Sequence, residues 1–174
     1  SKEVNRDISI EIYKFMMERL KAYYKEINVD GNVFEAVLAV SPESPLDFHL
    51  RIEVLNEFIE HSESRSLIEA NKRIANILKD CDKKEPKVNF RLLEEEAEIK
   101  LYQATQTIAE KLKEEKDYRS IMSSLLALKE VIDDFFDNVM VNVEDTKLRQ
   151  ARLSLIKRVR KLFLSVADIS HLSS

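Results

Sequence analysis

The sequence predicts an all-α fold, a single-domain helical bundle of about seven helices covering 1–174. Three observations carry that reading. One Gly and three Pro in 174 residues leave almost no turn chemistry for hairpins. Apolar residues recur at three- and four-residue steps along nearly the whole chain, the spacing of a core-facing helix stripe. With 44% apolar and 34% charged residues, the chain can bury a sizeable core and still solvate the opposite helix faces.

The first helix is expected from Ile8 to Ile27, with Ile8, Ile12, Phe15, Met16, Leu20, Tyr23 and Ile27 as its core stripe. Tyr13, Met17 and Tyr24 widen the stripe, so this helix should meet neighbours on two sides. Asn28-Val29-Asp30-Gly31 breaks it. The lone Gly31 suits a left-handed turn position, and Asp30 suits a cap for a short buried helix over 32–40. Ser44 before Pro45, with Asp47 in the first turn, starts the next helix, which runs to about His61. Arg51 falls between apolar positions there and is either salt-bridged or exposed along one edge. A short polar link over 62–66 leads to a helix over about 67–81, expected to pack antiparallel to the one before it.

The longest irregular stretch, 80–89, holds Lys83, Lys84 and Pro86 and reads as a loop inside one domain. A long helix follows over about 92–115, its first turn marked by Glu94, Glu95, Glu96 and Glu98 near the positive end of the dipole. Asp117 caps a helix running to about Phe136, and a last helix runs from about Asp145 to Val166. Between them, 133–141 joins acids, aromatics and an apolar run.

Several classes of chemistry lack their residues. A single Gly cannot build a phosphate-cradling loop, and Cys81 is the only thiol, with no paired His in sequence. His49, His61 and His171 are scattered and sit in no Glu-x-x-His pair, so no metal or other cofactor is expected in this domain. No apolar run approaches a membrane span, and a lone cysteine suits a reducing cytoplasm. Ser1 in place of Met reads as a boundary within a longer polypeptide.

The net charge of −4 disfavours a nonspecific nucleic-acid binder, yet the charge is polarised. No acid occurs from Thr146 to Ala167, while Lys147, Arg149, Arg152, Lys157, Arg158, Arg160 and Lys161 are basic. A merely solvated face would alternate its signs, so this one points to a polyanion, most simply RNA phosphate. Arg152 falls inside the apolar arc and needs a buried acceptor, for which Asp133, Asp134 and Asp137 are the candidates. On the helix from residue 67, Leu67, Ala70, Ile74, Ile77, Leu78 and Cys81 share one arc. Asn71 and Arg73 flank it, so the Asn71 amide is expected to face a pocket at the surface, with Lys72 and Asn76 pointing further out.

These blocks resemble a known family. Phe15–Tyr23 (FMMERLKAY), Val33–Ala39 (VFEAVLA), Ala70–Leu78 (ANKRIANIL), Asp134–Val141 (DFFDNVMV) and Val166–Ser170 (VADIS) occur in one order over nearly the whole chain. They are similar to the anticodon-binding domain at the C-terminus of bacterial glycyl-tRNA synthetase beta subunits. That domain is one of an all-helical group named after a D-A-L-R motif and shared with arginyl-tRNA synthetases. The resemblance implies a glycine tRNA held by its anticodon arm, with the rest of the beta subunit and the synthetase alpha subunit as partners. It also implies that ATP is used elsewhere in the parent enzyme, and that this domain performs no chemistry. The family carries an Asn just before the position of Arg152; here Ala151 stands there.

The functional expectation is thus a pocket where the Asn71 helix, the 133–141 turn and the last helix meet. Asn71 and Asn76 are the expected readers of base edges, and Lys72, Arg73, Arg149, Arg158 and Arg160 the expected phosphate contacts. Arg51 suits either role. Two rivals use the same residues: an arginyl-type anticodon domain, and a helical interaction module that docks an acidic partner.

Overall fold

A computed structural model of the chain describes residues 2–81 and 88–173, with side chains from residue 8 onward except at Ser9. Lys83, Lys84 and Pro86 of the expected loop lie outside the described residues. The described residues form eight α-helices and no strand: α1 (Lys2–Glu26), α2 (Gly31–Leu38), α3 (Pro45–Ile59), α4 (Ser64–Leu78), α5 (Glu96–Leu112), α6 (Tyr118–Leu126), α7 (Lys129–Asn138) and α8 (Thr146–Leu164). Short 3₁₀ turns at Phe90–Leu92 and Ile169–His171 complete them. None of the helices is long and apolar enough to cross a membrane.

Helix starts follow local side-chain chemistry. Asp30 accepts from the Asn32 N–H at 2.7 Å, Ser44 from the Asp47 N–H at 3.1 Å, and Asp117 from the Ser120 N–H at 2.9 Å. Asp145 accepts from the N–H groups of both Lys147 and Leu148. Each bond satisfies an N–H that the first turn leaves without an intrahelical partner. The left-handed residue in the break after α1 is Asn28, with φ 61°, whereas Gly31 opens α2 with an ordinary helical start. Asn tolerates that backbone region better than most residues, which frees the glycine from the role.

The single helix expected after Asp117 is two. The chain turns at Ala127–Leu128, and Leu128 then accepts the N–H of Ile132 to open α7. Leu125, Leu128, Ile132 and Phe135 are all essentially fully buried on either side of that break.

One core runs through the described chain. Phe48, Phe58, Phe135 and Phe163 are its largest fully buried side chains, joined by Ile52, Leu55, Leu67, Ile74 and Leu101. α5 packs on α7 and α8, α4 on α7, α8 and the C-terminal 3₁₀ turn, and α3 on α2 and α6. The Asp168 N–H donates to the Ala36 carbonyl at 2.9 Å, so the last residues are tied back to α2. The last helix buries Leu155, Ile156, Val159, Leu162 and Phe163, with Val166 buried just beyond its end and Leu148 near its start half-buried.

The first helix packs through one flank of its expected stripe and not through its centre. Tyr24 is 2% exposed, and Met17 and Leu20 pack beside it, but Ile8, Ile12, Phe15, Met16, Tyr23 and Ile27 of the expected core stripe are exposed. Two apolar faces are present on α1, and its own domain covers only the narrower one.

Candidate nucleic-acid interface

Two of the cationic positions are held by the fold itself. Arg51 is salt-bridged, one of the two outcomes its sequence position allows. Its Nε donates to Asp47 at 3.1 Å and its Nη1 to the carbonyls of Ser165 and Val166 at 3.0 and 2.7 Å. Its guanidinium lies 4.5 Å over the Tyr118 ring, and the Tyr118 hydroxyl donates to Asp47 at 2.6 Å. Burial and that bond to the Asp47 carboxylate push the Tyr118 phenol up to about 12. Arg51 thereby caps the carbonyl end of α8, where a cation offsets the negative end of the dipole. Arg160 donates to Asp168 at 2.6 Å, holding the turn after α8, and its Nη1 is buried without a hydrogen-bond partner.

The Asn71 amide is not at the surface. The residue is 1% exposed and its Nδ2 donates to the Leu67 carbonyl at 3.0 Å, one turn back in α4. The buried arc of α4 is wider than expected: Ile68 joins Leu67, Ala70 and Ile74, and Asn71 lies inside the arc rather than on its flank. In this conformation its amide therefore cannot meet a base edge from solvent.

Arg152 is buried as expected, but its acceptor is different. Nε binds Glu98 of α5 and Nη1 donates to the Met140 carbonyl at 2.8 Å. Glu98 is fully buried and accepts in turn from the backbone N–H groups of Glu94 and Glu95, at 2.9 and 2.8 Å. One carboxylate therefore caps α5 and neutralises α8. Burial pushes the Glu98 carboxyl up, but the bonds from Arg152, Glu95 and Glu94 outweigh it and hold it below the usual carboxylate range. Of the expected acceptors, Asp133 instead takes the Ser66 hydroxyl at 2.7 Å and Lys129 at 3.0 Å, and Asp134 takes the Asn138 amide.

The remaining predicted residues lie in two places. On α4, Arg73 and Asn76 are exposed and Lys72 is half-buried. The Arg73 guanidinium sits 4.3 Å from the centre of the Phe136 ring on α7, and Met140, just beyond α7, is 71% exposed. Phe136 and Met140 are surface features that sequence reasoning left unassigned. Phe136 follows the buried Phe135 at about 100° around α7, which turns its ring toward Arg73 at the edge of the core. On α8, Arg149 donates to the Val143 carbonyl at 3.4 Å. Arg158 turns to α5, bonding Gln106 at 2.7 Å and lying 5.5 Å over Tyr102. A hollow of about 470 Å³ opens beside the first half of α8, lined by Asn89, Leu92, Lys147, Gln150, Ala151 and Ser154. Ala151, the position of the expected Asn, is one of its walls. No group of His, Cys, Asp and Glu among the described residues is arranged to hold a metal ion.

Residues 67–169, which span all of these residues except Asp47, Arg51 and Ser66, match the family model described as the DALR anticodon binding domain. The chain belongs to that family. Its relatives agree. It is 40% identical over 174 residues to the glycine–tRNA ligase beta subunit of Coxiella burnetii (strain Dugway 5J108-111), covering 97% of this chain and 25% of that protein. The same subunit of Pseudomonas aeruginosa (strain LESB58) is 40% identical over 164 residues, 92% of this chain and 24% of that protein. That of Haemophilus influenzae (strain PittGG) is 37% identical over 172 residues, 97% and 25% respectively. The chain thus spans about a quarter of the length of these relatives.

Proposed function

We propose that the chain binds the anticodon arm of a glycine tRNA and positions it for a glycine–tRNA ligase whose chemistry lies elsewhere. The observation that carries this is similarity over nearly the whole chain to glycine–tRNA ligase beta subunits, within an anticodon-binding family. Those names favour glycine over the arginyl-type rival. The proposal includes the rest of a beta subunit and a synthetase alpha subunit as partners, ATP as a substrate of the parent enzyme, and a cytoplasmic setting.

The site geometry gives the mechanism its parts. Single-stranded loops are read by stacking and by base edges, while phosphate contacts supply affinity. The Arg73–Phe136 pair offers a cationic and an aromatic plane for an unpaired base, with the Asn76 amide one turn along α4 for an edge. Lys72 and Arg149 serve the phosphates, as does Arg158 from the α5–α8 seam. Asn71 acts indirectly, by fixing the α4 backbone beneath these residues.

A tRNA panel tests the proposal. The chain is expected to bind glycine tRNA at least about tenfold more tightly than the same tRNA with its anticodon cytosines replaced, since each altered base costs about 1–3 kcal/mol where it is read. Equal affinities would reject anticodon reading by this chain. Preference for an acidic protein partner over any tRNA would favour the interaction-module rival.

A further inference from the structure

Between Ile8 and Met16, α1 carries described apolar side chains on most sides, almost all of them uncovered. Ile8, Ile10, Ile12, Tyr13, Phe15 and Met16 are each at least 40% exposed. At the helical angle they span roughly 220° of the circumference. Contact with the domain begins only at Met17, Leu20 and Tyr24. A hollow of about 250 Å³ between Phe15, Met16, Tyr23 and Pro45 continues this surface toward α3, where Leu46 is 67% exposed. A helix that is apolar nearly all round is ordinarily buried on several sides.

The width of that arc decides between occupants. One partner helix, such as α1 of a second copy, covers a stripe of about 100° and would leave the rest in water. A pair or more of helices, presented together, is required. The relatives align with nearly all of this chain and are about four times its length, so such a polypeptide has ample chain to present them. We infer that residues 8–23 are the seat of a second helical domain carried in the same polypeptide, in one of the relatives' length. Arg19 lies 4.9 Å over the Phe15 ring within this face. The seated domain therefore brings a carboxylate opposite Arg19, because a cation enclosed in an apolar contact needs a charged acceptor. This joint is separate from the RNA surface on α4, α7 and α8.

Amide hydrogen exchange tests the joint. The matched quarter of the Coxiella burnetii beta subunit is replaced by this chain, and exchange over 8–23 is compared between that chimera and the isolated chain. Exchange across 8–16 should slow by about tenfold or more in the chimera, while α5, α7 and α8 stay unchanged. Phe15→Glu should return it to the isolated rate. The same substitution in the isolated chain should move the melting temperature by less than about 4 °C, as expected of an exposed position. Equal exchange in chimera and isolated chain overturns the inference, and so does a larger melting shift, which would mean the face is already packed. An isolated chain that dimerises, with 8–16 protected as concentration rises, assigns the face to a second copy instead. Should the chimera not fold, the remaining three quarters of that beta subunit are mixed with this chain. Binding must then weaken by about tenfold with Phe15→Glu, and binding that ignores the substitution also overturns the inference.

Discussion

α1 and α8 are the two longest helices, and both carry a clear apolar arc, yet their arcs have opposite fates. In α8 the arc is covered by α4, α5 and α6, and its one misplaced cation, Arg152, is met by Glu98. In α1 most of the arc faces water, and the two neighbouring residues Tyr23 and Tyr24 are 51% and 2% exposed. Periodicity shows that a helix has an apolar face. It does not show what covers that face, because the covering element lies at an arbitrary distance along the chain or in another part of the assembly.

The largest expected effect is at the best-covered point of α8. Arg152→Ala leaves the fully buried Glu98 carboxylate without its cation, and breaking a buried pair this way costs about 3–5 kcal/mol. Replacing both partners with apolar residues of similar volume should cost less than either single change, although Glu98 also caps α5. Urea unfolding of the two single mutants and the double mutant gives the comparison; additive losses would show that the two side chains do not act as a pair. The pair also sets a pH dependence. The folded Glu98 carboxyl lies below its ordinary value of 4.5. Its contribution is therefore complete above that value and is lost as pH falls through the lower, folded one. Arg152→Ala should weaken the acid sensitivity of unfolding below about pH 4.5.

The two adjacent tyrosines of α1 sharpen the comparison within a single turn. Tyr24 stacks on Phe48, its hydroxyl is 2.9 Å from His49 Nδ1, and it is the main anchor of α1. Tyr24→Ala should cost about 3–5 kcal/mol, the range for removing a buried aromatic ring. Tyr23→Ala in the same chain should stay within about 0.5 kcal/mol, as at most exposed sites. Similar losses at both positions would mean that the outer face of α1 is packed within this chain after all.

What the sequence shows divides along the same line. The caps at Asp30, Ser44 and Asp117 are legible because each bond closes within three residues. The burial of Arg152 is legible from its place on the arc. Glu98 as its partner is not, since it lies 54 residues away and equally suits an exposed first helical turn. The α6–α7 break escapes notice because no Gly or Pro marks it. Of the site residues, Arg73, Asn76 and Arg149 could be placed at or near the surface from the helical wheel alone. Arg51 and Arg160 differ because their acceptors, the α8 carbonyls and Asp168, are supplied by the tertiary fold. Asn71 differs because a single extra neighbour, Ile68, widens the buried arc enough to enclose it.

A smaller effect tests the tie between the carbonyl end of α8 and the helices α3 and α6. Tyr118→Phe keeps the ring under Arg51 and removes only the hydroxyl that donates to Asp47. The Asp47–Arg51 bond remains, so the loss should be about 1.5–3 kcal/mol, that of one hydrogen bond to a charged acceptor. Chemical denaturation measures it. Asp47→Ala should cost more, because it leaves Arg51 half-buried without its carboxylate. If Tyr118→Phe matched Asp47→Ala, the hydroxyl rather than the ion pair would hold the three helices together.

The smallest effect concerns the exposed ends of α4 and α7, where covering would come from RNA. If Arg73 meets a phosphate, Arg73→Ala should flatten the dependence of log K on log salt for glycine tRNA by about 0.7, the contribution of one single-strand phosphate. Lost affinity should then be alike for native and altered anticodons, because a phosphate carries no sequence. If Arg73 stacks on a base beside Phe136, the slope should hold while affinity falls, and Phe136→Leu should lose about as much, within the 1–3 kcal/mol typical of base stacking. The guanidinium lies over the Phe136 ring, so the two substitutions should be non-additive in the stacking case and independent in the phosphate case. Neither change should alter the melting temperature by more than a few degrees, since both side chains are at least partly solvent-exposed. An unchanged slope together with unchanged affinity in both mutants would place the RNA on another face, and the Arg73–Phe136 contact would then serve only to hold α4 against α7.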